Sequence, residues 1–215
     1  MNEQTRINMI EQQIRPWDVL DEAVLELYRT VPREDFVADP ALRDLAYADT
    51  ELPIGFGQTM LEPKLEARML QALAVRPDER VLHVGCGSGF FAALLGRQAA
   101  FVKTMEIIPE LAAAAARRLA PLKNVEVAAE DGARGVAGGE QFDAVVLTGA
   151  TPLIAPEFWN NIKDGGRLLA VEGRAPAMTL SLVEKRREGM LLRRDILETC
   201  IPLLQNAPSP PAFEF

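Results

Sequence analysis

The stretch that decides the fold of this chain is Val81-Leu82-His83-Val84-Gly85-Cys86-Gly87-Ser88-Gly89-Phe90. Its first four residues predict a short buried strand, and Phe90 opens an apolar run that is typical of a helix. Three alternate glycines lie between the two, where bare backbone lets a ligand approach the carboxyl edge of a parallel sheet. The dinucleotide pattern Gly-x-Gly-x-x-Gly requires glycine at position 90, so the phenylalanine there favours a nucleoside without a pyrophosphate.

Two acidic residues extend this interpretation along the chain. Glu106 ends the next predicted strand, about 20 residues after Gly85, the separation at which an acid accepts hydrogen bonds from both ribose hydroxyls. Asp131 and Gly132 follow the third predicted strand, where a short acidic side chain can accept from an adenine amine. The alternative is that the glycines only make a tight turn, Glu106 is a solvated strand end and Asp-Gly is an ordinary turn. We favour the nucleoside site because these features occur together.

Strands alternate with helices through the middle of the chain. The predicted strands cover 81–84, 101–105, 125–128, 142–147 and 167–171, and the predicted helices cover 90–97 and 109–119. Such alternation implies a parallel sheet with helices on both faces. The segments 178–185 and 190–197 predict an antiparallel C-terminal hairpin that completes a mostly parallel seven-stranded sheet. The predicted fold class is therefore α/β and Rossmann-like.

One domain with two flanking segments is the predicted organisation. Residues 1–75 form a helical and loop extension, which we expect to act as a lid over the ligand and not to fold independently. Residues 76–200 form the core, and residues 201–215 form a proline-rich tail that we expect to be extended and loosely held. Within the extension, Asp18 is the expected N-cap of a second helix, and residues 40–63 are expected to form a loop.

Composition excludes several classes of protein. The chain has 215 residues, of which 48% are apolar and 25% charged, as in globular domains. Its 31 acidic and 23 basic residues give a net charge of −8, which argues against nucleic acid and anionic membranes as partners. With 2 cysteines and 1 histidine we expect no metal site. No membrane segment or secretory signal is recognisable, so we expect a cytoplasmic protein.

Seven short stretches of the chain resemble, in the same order, those of the protein-L-isoaspartate O-methyltransferase family. They are Val31-Pro-Arg-Glu-Asp-Phe-Val37, Ala46-Tyr47-Ala48-Asp49, Leu52-Pro-Ile-Gly-Phe-Gly-Gln-Thr-Met60, the glycine loop, Glu130-Asp-Gly-Ala-Arg-Gly135, Phe142-Asp143 and Gly165-Gly-Arg-Leu168. The resemblance covers nearly the whole length. It implies a class I methyltransferase that uses S-adenosyl-L-methionine, methylates a carboxylate of damaged aspartyl residues in proteins and so serves protein repair.

The resemblance also implies which residues bind the cofactor. The backbone around Gly85, Gly87 and Gly89 would face the methionine end, Glu106 the ribose, and Asp131 with Gly132 the adenine. The other cofactor-binding residues that it implies are Gln58, Thr59, Met60, Leu61, His83, Cys86 and Ile107.

Two positions depart from the family pattern. The family carries Gln-Thr-Ile-Ser, and its serine is regarded as the active-site residue near the isoaspartyl group, whereas this chain has Leu61 at the serine position. Leucine cannot donate a hydrogen bond, so roughly 1.5–3 kcal/mol of interaction with a carboxylate is missing unless Thr59 or a backbone N–H replaces it. The catalytic residue therefore stays unassigned. His83 stands where the family usually has an acid that could hold the methionine ammonium, and we favour a core histidine there over a catalytic one.

The chemistry of methyl transfer leaves the acceptor open. A carboxylate is ionised at neutral pH and needs no general base, so proximity and orientation suffice. A phenol or an amine would need proton removal, for which His83, Glu62 and Asp49 are the candidates. Two alternatives to the isoaspartyl acceptor therefore remain, namely a more apolar small molecule beside Met60 and Leu61, or a catalytically inactive cofactor-binding homologue. A nicotinamide-dependent oxidoreductase is disfavoured by Phe90. We expect a protein, peptide or small-molecule acceptor, and a monomer or weak dimer.

Overall fold

The computed structural model describes residues 3–210 and is built around one large sheet. Its strands are β1 (Leu52–Gly55), β2 (Gln58–Met60), β3 (Arg80–Val84), β4 (Phe101–Met105), β5 (Val125–Ala128), β6 (Phe142–Leu147), β7 (Ile162–Arg174), β8 (Ala177–Lys185) and β9 (Leu191–Thr199). Strands β3 to β9 form a seven-stranded sheet in the order β5-β4-β3-β6-β7-β8-β9. The first five of these run parallel, and β8 and β9 pair antiparallel at the end. The predicted fold class is confirmed.

The helices are α1 (Glu3–Met9), α2 (Glu22–Thr30), α3 (Pro63–Leu73), α4 (Phe90–Gly96) and α5 (Pro109–Leu119). Helix α1 continues into a π-helical turn at Ile10–Ile14. Proline stands in the first turn of α3 and of α5, where its missing N–H costs no intrahelical hydrogen bond. None of these helices, in the part of the chain that the structure describes, is long and apolar enough to cross a membrane.

Each face of the sheet carries its own apolar core. The larger core joins the N-terminal helices, α3, α4 and α5 to one face, and it includes the fully buried Tyr28, Met69 and Phe90. The smaller core covers the other face with a short 3₁₀ turn, Pro156–Asn160, whose Phe158 is buried. Because the N-terminal segment contributes residues from Met9 onward to the larger core, it packs as part of the same unit as the sheet.

Two local predictions are corrected by the structure. Asp21, not Asp18, caps α2, because its carboxylate accepts from the Ala23 N–H at 2.8 Å, while Asp18 takes a left-handed conformation that ends the preceding turn. The predicted loop at 40–63 contains a 3₁₀ turn at Pro40–Leu45 and the antiparallel hairpin of β1 and β2. The hairpin turn places Gly55, Phe56 and Gly57 at positive φ.

The beginning of the tail, 201–207, is held firmly, in contrast to the expectation. Ile201 is buried, the Ala150 N–H donates to the Pro202 carbonyl at 2.8 Å, and the Leu204 N–H donates to the Ala150 carbonyl at 2.8 Å. These two hydrogen bonds lay the segment across the loop that follows β6. Residues 211–215, at the end of the predicted tail, lie outside the described residues.

Candidate active site

A cavity opens at the carboxyl edge of β3, β4 and β6. It encloses about 660 Å³ including its mouth, which lies in the range of small-molecule and cofactor sites. Its walls come from the β1–β2 hairpin, the loops after β3, β4, β5 and β6, and the tail segment 202–205. This is the sheet edge at which parallel α/β proteins bind ligands, because the loops that connect the strands converge there.

The glycine loop forms the floor of this cavity. Gly85 has φ of +92°, and a Cβ there would lie 3.1 Å from the Thr148 hydroxyl oxygen, so the position requires glycine. The N–H groups of Gly85 and Cys86 both donate to the Met105 carbonyl at 3.0 Å, which joins the loop to the end of β4. Gly85 and Gly87 line the cavity. Gly89 does not line it, and its Cα faces Ala115 and Leu119 of α5.

Glu106 lies at the centre of the site and is 93% buried, with 7% of its surface exposed. One carboxylate oxygen accepts from the Gly87 N–H at 2.8 Å, and the other accepts from the Ile108 N–H at 3.0 Å. These bonds fix the carboxylate against the glycine loop. Each oxygen keeps a lone pair, so the fixed carboxylate can still accept two hydroxyl donors from the cavity.

Asp131 and Gly132 form the far wall. Asp131 accepts from the Ala133 N–H at 2.9 Å through one oxygen and from the Asn206 side-chain amide at 2.9 Å through the other. A Cβ on Gly132 would lie 2.8 Å from Val84, so only glycine lets the two loops approach this closely. The tail therefore reaches over the wall that the sequence assigned to adenine.

The β1–β2 hairpin forms the opposite wall with Gln58, Thr59 and Leu61. The Thr59 hydroxyl donates to the Glu51 carboxylate at 2.9 Å, so its single proton is already used within the hairpin. Leu61 is 5% exposed, and its carbonyl accepts from the Arg33 guanidinium at 2.6 Å. This wall is therefore apolar where the family pattern has a hydroxyl donor.

His83 lies below the floor and does not line the cavity. Its Nδ1 is 2.9 Å from the Thr104 hydroxyl and its Nε2 is 2.9 Å from the Thr148 hydroxyl. Thr148 uses its single hydroxyl proton to donate to the Gly85 carbonyl at 2.8 Å. The protonated Nε2 of His83 therefore donates to the Thr148 hydroxyl, and Nδ1 accepts from the Thr104 hydroxyl. Burial lowers the pKa of His83 to about 3, so the ring is neutral and supports the glycine loop from below.

A smaller chamber of about 300 Å³ adjoins the cavity between the hairpin and the glycine loop. Met60 and Cys86 line this chamber and not the main cavity, and burial raises the pKa of the Cys86 thiol to about 12. Glu66 of α3 also lines it and forms an ion pair with Arg33. Groups of 3 or more potential metal ligands are absent from residues 3–210.

The structure brings most of the predicted residues to one cavity and adds several that the sequence did not indicate. Gln58, Thr59, Leu61, Gly85, Gly87, Glu106, Ile107, Asp131 and Gly132 line the main cavity together. Thr148 and Gly149 were missed, although they follow β6 directly and the rule of strand ends would have found them. The tail residues Pro202 to Gln205 and the buried Glu66 carried no local signal.

A Rossmann-like sheet with this glycine loop and this acid at its carboxyl edge defines a nucleoside-binding protein of the methyltransferase type. Comparison with known proteins agrees. The family model described as protein-L-isoaspartate(D-aspartate) O-methyltransferase matches residues 4–207. A protein-L-isoaspartate O-methyltransferase of Koribacter versatilis (strain Ellin345) is 39% identical over 211 residues, which cover 96% of this chain and 94% of that protein. One from Anaeromyxobacter sp. (strain Fw109-5) is 42% identical over 183 residues, which cover 83% and 86%.

A solved structure shows the same fold. A Plasmodium falciparum protein, described as a protein-L-isoaspartate O-methyltransferase in complex with S-adenosyl-L-homocysteine, superposes with a TM-score of 0.78 at 16% identity and covers 94% of this chain and 97% of its own. The chain belongs to the protein-L-isoaspartate O-methyltransferase family. The predicted enzyme class, an S-adenosylmethionine-dependent methyltransferase, is thereby confirmed.

Proposed function

We propose that this protein transfers the methyl group of S-adenosylmethionine to the side-chain carboxylate of isoaspartyl residues in peptides and proteins. The observation that carries the proposal is the Glu106 carboxylate, held by the Gly87 and Ile108 N–H groups at the edge of a cofactor-sized cavity. Such a carboxylate is suited to bind the two ribose hydroxyls, and family membership supplies the acceptor class.

The other cavity residues take roles that follow from their positions. Asp131 and Gly132 would bind the adenine, and Ile107 would pack against the nucleoside. The backbone of Gly85 and Gly87 would contact the methionine end, with Gln58, Thr59 and Leu61 on the opposite wall. Four of the predicted residues would act indirectly, because they support the loops that contact the cofactor. They are His83, Met60, Cys86 and Gly89.

The acceptor is consistent with the lining of the cavity, in which Lys, Arg and His side chains are absent among residues 3–210. A peptide carboxylate attacks the sulfonium methyl as an anion, so the protein has only to align the two and exclude water. Leu61 supplies no hydrogen-bond donor and the Thr59 proton is used by Glu51, so we infer that a backbone N–H, not a side-chain hydroxyl, binds the acceptor carboxylate. The segment 1–75 and the tail would complete the walls of the site as lids.

The test is an assay with an isoaspartyl peptide and radiolabelled S-adenosylmethionine, in which base-labile methyl ester is counted. The same peptide with an ordinary aspartyl residue is the control. We expect ester with the isoaspartyl peptide alone. Ester with neither peptide, despite cofactor binding measured by calorimetry, would contradict the acceptor and leave the cofactor assignment standing.

A second candidate acceptor is a more apolar small molecule. Leu61 is buried in the cavity wall, and Leu203, which also lines the cavity, is 41% exposed. These side chains favour an apolar acceptor as well as an apolar neighbour of the isoaspartyl residue. We further propose a cytoplasmic protein that works as a monomer or weak dimer. Its net charge of −8 supports the further proposal that it does not bind nucleic acid.

A further inference from the structure

The chamber beside the main cavity contains a buried carboxylate that the proposed function does not use. Thr59, Leu61, Gly85, Gly87 and Thr148 line both spaces, so the two form one continuous site. Glu66 lines only the chamber, and its side chain is 6% exposed. A carboxylate so deeply buried is costly unless it is paired, so its partners indicate its role.

One half of this carboxylate is already paired. The Oε2 atom of Glu66 accepts from the Arg33 guanidinium, and Arg33 is held in turn by the Leu61 carbonyl and by the Phe90 ring, whose centroid is 4.8 Å from the guanidinium carbon. Within residues 3–210 the structure gives Oε1 no hydrogen-bond partner. The ion pair therefore fixes the position of the carboxylate and leaves one oxygen free toward the chamber.

The free oxygen has no cationic partner in the described walls, whose side-chain donors, among them those of Gln58, Thr59, Ser88 and Thr148, are neutral groups. Among residues 3–210, Lys, Arg and His side chains are absent from the lining of both spaces. S-adenosylmethionine and its product both carry an α-ammonium, which offers three donors and a positive charge. The chamber lies against the glycine loop, at the opposite end of the site from Asp131.

We propose that Glu66 binds the α-ammonium of the cofactor's methionine end through Oε1. The proposal rests on the proposed function only in placing that end of the cofactor beside the glycine loop. His83 cannot take this role, because both of its ring nitrogens are bonded to threonine hydroxyls beneath the floor. Arg33 is a positioning residue for Glu66, and it also holds the Leu61 backbone.

The proposal separates two ligands that share the thioether nucleoside. S-adenosylhomocysteine carries the amino-acid group, whereas 5′-methylthioadenosine lacks it and should not depend on Glu66. We expect Glu66→Gln to weaken S-adenosylhomocysteine by about 10-fold or more, the effect of one hydrogen bond between charged groups, and to leave 5′-methylthioadenosine unchanged within about 2-fold. Glu110→Gln is the control, because Glu110 is an exposed acid in the first turn of α5 and lines neither space.

The pH dependence of binding gives a second measurement on the unaltered protein. Burial raises the pKa of Glu66 to about 7 in the free protein, so the carboxylate is progressively protonated as the pH falls below that value. Affinity for S-adenosylhomocysteine should then fall between pH 7 and pH 5.5, by up to about 10-fold per pH unit, while affinity for 5′-methylthioadenosine stays level. Glu66→Gln should abolish the difference between the two ligands.

Calorimetric titration of both ligands at several pH values tests whether Glu66 binds the α-ammonium. Equal weakening of both ligands by Glu66→Gln would mean that Glu66 only supports the fold, and unchanged binding of S-adenosylhomocysteine would overturn the proposal directly. If the variant does not fold, coincident pH curves of the two ligands on the wild-type protein would overturn it as well. Failure of both ligands to bind the wild-type protein would instead contradict the proposed function.

Discussion

The two ends of the proposed cofactor site are built in different ways. At the proposed adenosine end, Glu106 follows β4 directly and Asp131 lies three residues after β5. In each case the backbone N–H two residues further along the chain helps to orient the carboxylate. At the proposed methionine end, the walls come from the hairpin and from α3. Arg33, which is distant in sequence, holds these walls from behind through the Glu66 carboxylate and the Leu61 carbonyl. A local motif is thus sufficient to build a nucleoside site, whereas the surroundings of the transferred methyl group depend on tertiary packing. Changes in specificity are therefore expected at the second end.

The largest expected effect breaks the adenosine end. Glu106→Gln removes the charge that would accept both ribose hydroxyls and weakens the bond that holds Gly87. Two hydrogen bonds to a charged group are together worth roughly 3–6 kcal/mol, so affinity for S-adenosylhomocysteine should fall by about 100-fold or more in calorimetry. Glu110→Gln, an exposed acid in the first turn of α5, is the control and should leave affinity unchanged. Equal affinity of Glu106→Gln and the wild type would exclude Glu106 from the site.

The second effect concerns the histidine under the methionine end. The pKa of His83 is about 3 in the folded protein, below its ordinary value of 6.5, so only the unfolded chain takes up this proton as the pH falls below 6.5. The stability that the neutral ring contributes is fully present above pH 6.5 and is lost as the pH falls toward 3. The slope is about 1.4 kcal/mol per pH unit, or roughly 2–3 kcal/mol between pH 6.5 and pH 4.5.

Urea unfolding of the wild type and of His83→Gln, at several pH values, measures this loss. The wild type should lose stability more steeply with acid than the variant, by the slope just given. Parallel dependence of both proteins on pH would show that His83 titrates normally and is not sealed between Thr104 and Thr148.

The third effect tests the apolar wall of the methionine end. Leu61→Ser places a hydroxyl donor where the acceptor carboxylate is expected, and a hydrogen bond to a charged group is worth about 1.5 kcal/mol or more. We expect the KM for an isoaspartyl peptide to fall by up to about 10-fold, together with a loss of roughly 2–3 kcal/mol in stability because buried apolar surface is removed. Leu61→Ala gives the stability loss without the donor. The idea fails if both variants change KM alike.

The smallest effect lies at the adenine wall. Asp131→Asn keeps an acceptor oxygen but removes the charge, so affinity for S-adenosylhomocysteine should fall only by about 3- to 10-fold. The analogue with hypoxanthine in place of adenine lacks the amine, so it should bind the wild type less tightly than S-adenosylhomocysteine does. The difference in affinity between the two ligands should be smaller for Asp131→Asn than for the wild type. If wild type and variant discriminate between the two bases equally, another group reads the amine.

The parts of this molecule that were predictable are those in which the signal is local. The glycine loop, Glu106 and the Asp131-Gly132 turn each follow a strand with a clear apolar pattern, and their place at the sheet edge follows from topology. The β1–β2 hairpin is not predictable from the sequence, because its strands are short and its turn contains Phe56 at positive φ. The ordered tail was missed because prolines favour extended chain, and its two bonds to Ala150 are long-range.

Glu66 was also invisible in the sequence. In the sequence, Glu66 resembles the other charged residues of the amphipathic helix α3. Only the fold shows that Glu66 is buried and lies beside Arg33. Long-range contacts of this kind decide which acid is a solvated surface group and which belongs to a site.

The most direct test of this account is a crystal structure of the protein with S-adenosylhomocysteine. We predict the ribose hydroxyls within hydrogen-bond distance of Glu106, the adenine beside Asp131 and Gly132, and the amino-acid end in the chamber against Gly85 and Glu66. A ligand bound in the reverse direction, or with its ribose away from Glu106, would contradict the account of both ends of the site.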